Sequence, residues 1–279
     1  SGTGKELIAN AVHQNSLRVD KQFIKVNCAA LHENLLESEL FGHEKGAFSG
    51  AVTKRIGKFQ QADGGTLLLD EISEMDLGLQ AKLLRAIQER VIDPVGSDKP
   101  VPVDIRLIAT TNRNLEEYVA EGSFREDLYF RLNVVALEIP PLRERTGDIA
   151  LLSQFFANKY HAQNGHTEAE VKITPPALEK LETCYWKGNV RELENTVHRA
   201  TLMMGSNHKM EPDHIVISPM SLKMMDMQAN NEQAAASAKE TLGLGAGANP
   251  AAAAYGAVAS GKSPGMVGGY VGQALEDVE

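Results

Sequence analysis

Two short stretches carry residue types that handle phosphate. "SGTGKE", residues 1–6, places Gly2 and Gly4 on either side of Thr3 and follows them with Lys5. In a phosphate-binding loop of pattern G-x-x-x-x-G-K-[ST], glycines let the backbone approach phosphate oxygens and the helix N–H groups point at them. The lysine pairs with the β- and γ-phosphates. The stretch departs from the pattern twice. The first glycine would precede residue 1, so the chain is expected to be a piece of a longer protein, and Glu6 stands where Ser or Thr is usual. "TLLLDEI", residues 66–72, is an apolar strand ending in Asp70 and Glu71. An acid at such a strand end can hold Mg²⁺, and a neighbouring carboxylate can polarise an attacking water. Alone, the first stretch also admits a glycine turn capping a helix, and the second two solvated carboxylates, each as the lesser reading. Together and in this order they point to an ATP site.

Three further stretches extend it. "IATTNR" ends a buried strand in Thr111 and Asn112, which would meet the γ-phosphate or orient water, or else simply cap the strand. "FREDLYFRL" carries Arg125 and Arg131, six residues apart, expected on one broad face of a helical segment. Arginine supplied to a neighbouring subunit's γ-phosphate accelerates its transfer, although surface ion pairs are the simpler use of such residues. "WKGNVREL" puts Arg191 at a helix start, from which it would report nucleotide state. A different question is raised by "HEKGAFSGA", residues 43–51: Gly46 and Gly50 argue against helix or strand, yet Phe48 sits between them.

The elements that must position these residues alternate. "KELIANAVHQNS", "NLLESELFG", "LGLQAKLLRAIQER" and "NLEEYVAEGSFREDLYFRL" read as helices, and "QFIKVNCAA", "GGTLLLDEI", "VDIRLIATTN" and "NVVALEIPPL" as strands. Such alternation predicts a parallel sheet wrapped by helices. From Asp148 the pattern is helical, with no strand candidate before "HIVIS". Beyond residue 218 the chain turns to Ala, Gly, Ser and Gln, too poor in large apolar residues to offset chain entropy. The predicted organisation is an α/β nucleotide-binding unit over 1–141, a small α-helical unit over 142–218, a flexible linker over 219–270, and the opening of another element over 271–279.

Composition sets outer bounds. In 279 residues, 43% hydrophobic and 23% charged content is that of a globular protein, and a net charge of −9 argues against bulk affinity for nucleic acid. Cys28 and Cys184 have no partners at metal-ligand spacing and read as buried apolar-like residues. No apolar run reaches the roughly 18 residues of a membrane span, so no membrane partner and a cytoplasmic location are expected.

Taken in order, the phosphate loop, "ELFGHEKGAFSGA", "GGTLLLDEI", "ATTN", "FREDLYFRL" and "WKGNVREL" resemble the AAA+ domain of bacterial enhancer-binding activators of the NtrC type, which work with sigma-54 RNA polymerase. The resemblance spans about residues 1–218; the look of the tail suggests the flagellar, FlbD-like subgroup. It implies a P-loop AAA+ fold with a helical lid. It further implies a ring of six, sometimes seven, copies that hydrolyses ATP with Mg²⁺ between subunits and remodels the sigma-54 closed promoter complex. By motif position, Gly2, Thr3, Gly4, Lys5 and Glu6 would be Walker A, and Asp70 (the metal ligand) and Glu71 Walker B. Thr111 and Asn112 would be sensor I, Arg125 and Arg131 arginine fingers, and Arg191 sensor II. Asn27 would be the switch linking Glu71 to nucleotide state. The loop Gly46, Ala47, Phe48, Ser49, Gly50, Ala51 would contact sigma-54, with Phe48 as anchor. The usual loop has threonine at Ser49, so a β-methyl is missing here. Relatives add a regulatory domain in front, often of two-component type, and a DNA-binding domain behind, which 271–279 would begin. The rival readings are a nucleotide-binding regulator or scaffold without motor output, and another AAA+ remodeller.

Overall fold

The computed structural model describes residues 2–166, 170–227, 230 and 269–273. Among these, two compact units form, dividing between Pro140 and Pro141.

The first unit alternates as its sequence does. Helix α1 (Lys5–Gln14) leads to strand β1 (Phe23–Asn27), helix α2 (Glu33–Phe41), the short antiparallel pair β2 (Gly42–His43) and β3 (Arg55–Ile56), and a turn of helix α3 (Lys58–Gln61). Strand β4 (Thr66–Asp70) follows, then α4 (Leu77–Glu89), the small hairpin β5 (Val91–Ile92) and β6 (Val101–Pro102), and strand β7 (Arg106–Thr111). Helices α5 (Leu115–Ala120) and α6 (Glu126–Leu132) precede strand β8 (Val135–Ile139). The expected single helix over 115–132 is thus two, broken at Gly122, whose φ is +72°. Strands β1, β4 and β7 are parallel neighbours, with Asn27 opposite Asp70 and Leu69 opposite Ala109.

Both sheet faces are covered, which is why β4 reads as a continuous apolar run. Because side chains alternate, Leu67, Leu69, Leu107 and Ala109 pack on one side with Leu79, Leu83, Phe59 and Leu128. On the other side Leu68 and Ile108 meet Ala9 of α1 and Ile139. Helix α4 starts cleanly because Asp76 caps it, its Oδ1 accepting from the N–H groups of Gly78 and Leu79 at 2.8 and 3.0 Å.

The second unit is helical: α7 (Gly147–Gln163), α8 (Pro175–Glu182) and α9 (Asn189–Met204), with a two-residue parallel ladder of β9 (Lys172–Ile173) and β10 (Lys209–Met210) that the sequence reading lacked. Residues 215–218, "IVIS", form no strand. The core gathers Leu142, Ile149, Phe156, Leu181, Leu193 and Val197 around a fully buried Trp186. The Trp186 indole N–H donates to the Leu181 carbonyl at 2.8 Å. Trp186 and Asn189 both take left-handed backbone angles (φ 51° and 53°). That costs about 1–2 kcal/mol per residue, offset at Asn189 by its Oδ1 accepting from Leu142 N–H at 2.8 Å.

The linker expected from residue 219 begins instead as helix α10, residues 219–227. Ser221 in it is buried, and its hydroxyl donates to Glu192 at 2.7 Å, so this stretch has a partner that composition does not reveal. Residues 228–229 and 231–268 of the expected linker lie outside the described residues. Strand β11 (Gly269–Gln273) lies antiparallel between β7 and β8 in the sheet of the first unit. Residues 271–273 therefore belong to a sheet rather than opening a helical element, and 274–279 lie outside the described residues.

Candidate functional site

The carboxyl ends of parallel strands are where open α/β sheets place their ligands, and here they carry the polar residues. Asn27 and Asp70 end β1 and β4, and Thr110 is the last residue but one of β7, all three on the sheet face that α1 covers. Asp70 accepts from the Thr110 hydroxyl at one oxygen and from the Asn27 amide, at 3.3 Å, at the other. Asn27 is in turn fixed by accepting from Ala29 N–H at 2.9 Å.

Glu71 lies one residue past the strand in the left-handed region, φ 56° and ψ 52°. A non-glycine residue there costs on the order of 1–3 kcal/mol and is found where surroundings hold it for use. The twist turns its carboxylate to Lys5, at 3.4 Å, and to the Asn112 N–H, at 3.2 Å. Lys5 is 7% exposed, so its ammonium is kept beside a carboxylate rather than in water. It opens α1 directly after Gly4, whose φ of +98° only glycine adopts cheaply. The Asn112 Oδ1 is buried without a hydrogen-bond partner among the described residues.

Several expected residues sit differently. Asn27, expected as the switch that links Glu71 to nucleotide state, lies opposite Asp70 in the β1–β4 register and bonds to it, while Glu71 is held by Lys5 and Asn112. Thr111 points to the opposite sheet face from Asp70: its hydroxyl donates to Ser73 at 3.0 Å and accepts from Arg113 N–H at 3.0 Å. Thr110 takes the place beside Asp70. The signal for this was present, since residues 108 and 110 of a strand share a face. Glu6 is exposed and pairs with Lys25 at 2.8 Å.

Arg125 and Arg131 do not share a helical face. Arg125 is the residue before α6, with extended angles, and Arg131 lies in the last turn of that helix. The Arg125 guanidinium folds back onto Asp127 in a two-pronged pair, 3.0 and 2.6 Å, which holds the arginine above and the aspartate below their ordinary pKa values. Arg191 is exposed in the first turn of α9 in the second unit.

The Phe48 loop is more ordered than its glycines suggest. Gly46 N–H donates to Ala51 C=O at 2.8 Å, Ala47 N–H to Glu44 C=O at 3.2 Å, and Ala51 N–H to Phe48 C=O at 3.0 Å. At its base Gly42 and Gly57 are pressed together: a Cβ on Gly57 would lie 2.4 Å from Gly42 N. Phe48 is 40% exposed, with the edge of one ring meeting His43 at 5.0 Å between centroids. His43 is buried between Ser38 Oγ, at 2.6 Å from Nδ1, and the Thr53 carbonyl, at 3.0 Å from Nε2. A carbonyl only accepts, so Nε2 carries the proton and Nδ1 accepts from Ser38.

Cys28, beside this site, is buried, and burial with the nearby Asp70 and Glu71 charges pushes its thiol up to about 12. In the folded chain it is therefore expected to resist iodoacetamide at pH 8 and to react only after denaturation, as mass spectrometry of the labelled peptide would show.

With the geometry established, comparison with known proteins places it. Residues 1–138 match the sigma-54 interaction domain, and residues 143–236 match the AAA+ ATPase lid domain. The transcriptional regulatory protein FlbD of Caulobacter vibrioides is 63% identical over 203 residues, 73% of this chain and 44% of that protein. Regulatory protein AtoC of Escherichia coli is 57% identical over 203 residues, again 73% of this chain and 44% of that protein. Among solved structures, NtrX of Brucella abortus in complex with ADP superposes with a TM-score of 0.70 at 37% identity, covering 77% of this chain and 47% of that one; NtrX has also been solved with ATP. The chain spans less than half the length of these relatives. A parallel sheet with these acids at its strand ends, the Phe48 loop and the two domain matches in succession lead to one conclusion: the chain belongs to the family of sigma-54 activators built on an AAA+ ATPase fold.

Proposed function

We propose that this chain is the ATP-hydrolysing motor of a sigma-54-dependent transcriptional activator, and that it remodels the closed promoter complex through Phe48. The observation that carries the reading is the pairing of Lys5 with a left-handed Glu71 beside the Asn27–Asp70–Thr110 row. A buried cation, two carboxylates and the unpartnered Asn112 Oδ1 suit a metal-bound triphosphate and an attacking water. Mg²⁺ held at Asp70 would neutralise charge on the phosphates. Lys5 exchanges Glu71 for phosphate oxygens, and Glu71, so released, orients water and takes its proton while Asn112 fixes its carboxylate. The backbone of Gly2, Thr3 and Gly4 lies along the phosphates. Arg125 and Arg131 act on the nucleotide of a neighbouring copy in a homo-oligomeric ring of six subunits; Arg191 serves as the sensor from the lid. DNA is reached through a further domain of the full protein, which works in the cytoplasm.

The test is complex formation with sigma-54, using the protein with its native flanking sequence and ADP with a metal fluoride as transition-state mimic. A complex that forms with this mimic and not with ADP alone is expected. Normal ATP turnover with no complex would overturn the motor reading in favour of a ring ATPase that does not serve sigma-54.

A further inference from the structure

Gln80 is fully buried in α4, and all its polar partners are backbone groups. Its amide nitrogen donates to the Met75 carbonyl at 2.7 Å and to the Ser123 carbonyl at 3.2 Å. Its Oε1 accepts from the Arg125 N–H at 2.8 Å. The amide can face only one way, because two partners are acceptors and the third is a donor. One side chain thus joins two segments that are 50 residues apart in sequence. Met75 closes the 3₁₀ turn Ile72–Glu74 that follows Asp70 and Glu71. Ser123 and Arg125 bracket Phe124, which is buried in the core, and Arg125 stands immediately before α6.

We propose that Gln80 is a positioning residue for Arg125: it fixes the backbone from which the guanidinium projects and ties that backbone to the turn behind the hydrolytic acids. The inference rests on the reading of Arg125 as a group acting on a neighbour's nucleotide. The side chain of Arg125 is half-exposed and, among the described residues, is paired with Asp127, two residues further along the same backbone, so the pair as a whole goes where that backbone puts it. Its direction is set by the main chain, and the main-chain N–H is what Gln80 holds. The same amide grips the turn next to Glu71. A shift of that turn as hydrolysis proceeds in one subunit is therefore carried to the arginine that the same subunit offers its neighbour. Replacing Gln80 strands two carbonyls and an N–H away from water, which loosens both segments.

The experiment is subunit mixing. Gln80→Met keeps an unbranched side chain of similar volume and removes all three bonds; Gln80→Glu keeps the acceptor and removes the donors. Either variant alone is expected to lose at least about tenfold in ATP turnover, although it still carries Lys5, Asp70 and Glu71. Mixed with Lys5→Ala subunits, which cannot bind nucleotide but present a normal Arg125, either should regain turnover severalfold. Arg125→Ala mixed with Lys5→Ala is the reference. If that pair recovers and the Gln80 variants do not, Gln80 supports only its own subunit's site and the proposal is overturned. If the reference pair itself fails to recover, the trans role of Arg125 falls, and the proposal with it. A folded fraction measured by circular dichroism accompanies each variant, and whichever of the two Gln80 variants remains folded decides the question.

Discussion

Glu71→Gln is expected to bind ATP as tightly as the unchanged chain and to hydrolyse it about 10²–10⁴-fold more slowly, the usual worth of a positioned general base. The reasoning is geometric. Glutamine keeps the size of the side chain and one oxygen to accept from the Asn112 N–H, so the left-handed turn survives. What it loses is the negative charge facing Lys5 and the ability to take a proton from water. Lys5 is then left without its carboxylate and is freer for phosphate, so binding should not weaken. Equilibrium binding of a fluorescent ATP analogue and single-turnover phosphate release separate the two effects. Hydrolysis within a few-fold of normal would remove Glu71 from the chemistry. A parallel loss of binding would show that it acts by placing Lys5.

Phe48→Ala is expected to abolish both the sigma-54 complex and transcriptional activation while leaving ATP hydrolysis largely intact. Magnitudes favour this separation. Within its own unit the ring meets His43 edge-on, worth about 0.5–1.5 kcal/mol beyond the area it buries; 40% of the residue is open to solvent, and it is in none of the core clusters. An aromatic anchor at the centre of an interface is commonly worth 2 kcal/mol or more, roughly a 30-fold loss of affinity. Removing the ring is therefore expected to take an anchor from the partner while leaving the core of the catalytic unit as it is. Activation from a sigma-54 promoter, pull-down of sigma-54 and steady-state ATPase rates are the three readings. An equal fall in all three would mean that Phe48 supports the fold of the catalytic unit instead.

Much of this was legible in the chain itself. The run Thr66–Asp70 could only be a buried strand, and Lys5 after two glycines could only open a helix, because period and backbone freedom are local properties. What stayed hidden depended on partners distant in sequence. Thr110 and Thr111 are chemically identical, and only the face that Ile108 takes in the sheet decides which meets Asp70. The contact of Asn27 with Asp70 was likewise hidden, because register, not motif, sets which residues lie opposite each other. Arg125 and Arg131 parted because Arg125 stops short of the helix. Gln80 drew no notice at all: a glutamine in an amphipathic helix is ordinarily solvated, and nothing nearby in sequence announces three backbone partners. Residues 219–227 have the composition of a linker, but Ser221 bonds to Glu192 and Met225 packs on the helical core, contacts with residues distant in sequence.

The cross-bonded Phe48 loop behaves as a lever more than a tether. A slack segment that is pushed at its ends crumples, and the work disappears into the many shapes it can take. Three internal backbone bonds remove most of those shapes between Glu44 and Ala51. The pinched glycine pair Gly42 and Gly57 sets the pivot, because no side chain fits between the two strands there. Load applied at that neck is delivered to Phe48 as tilt with little lost to bending. In the proposed motor, stiffness of the arm, rather than strength of grip, then limits how much of each turnover's work would reach whatever the ring presses against.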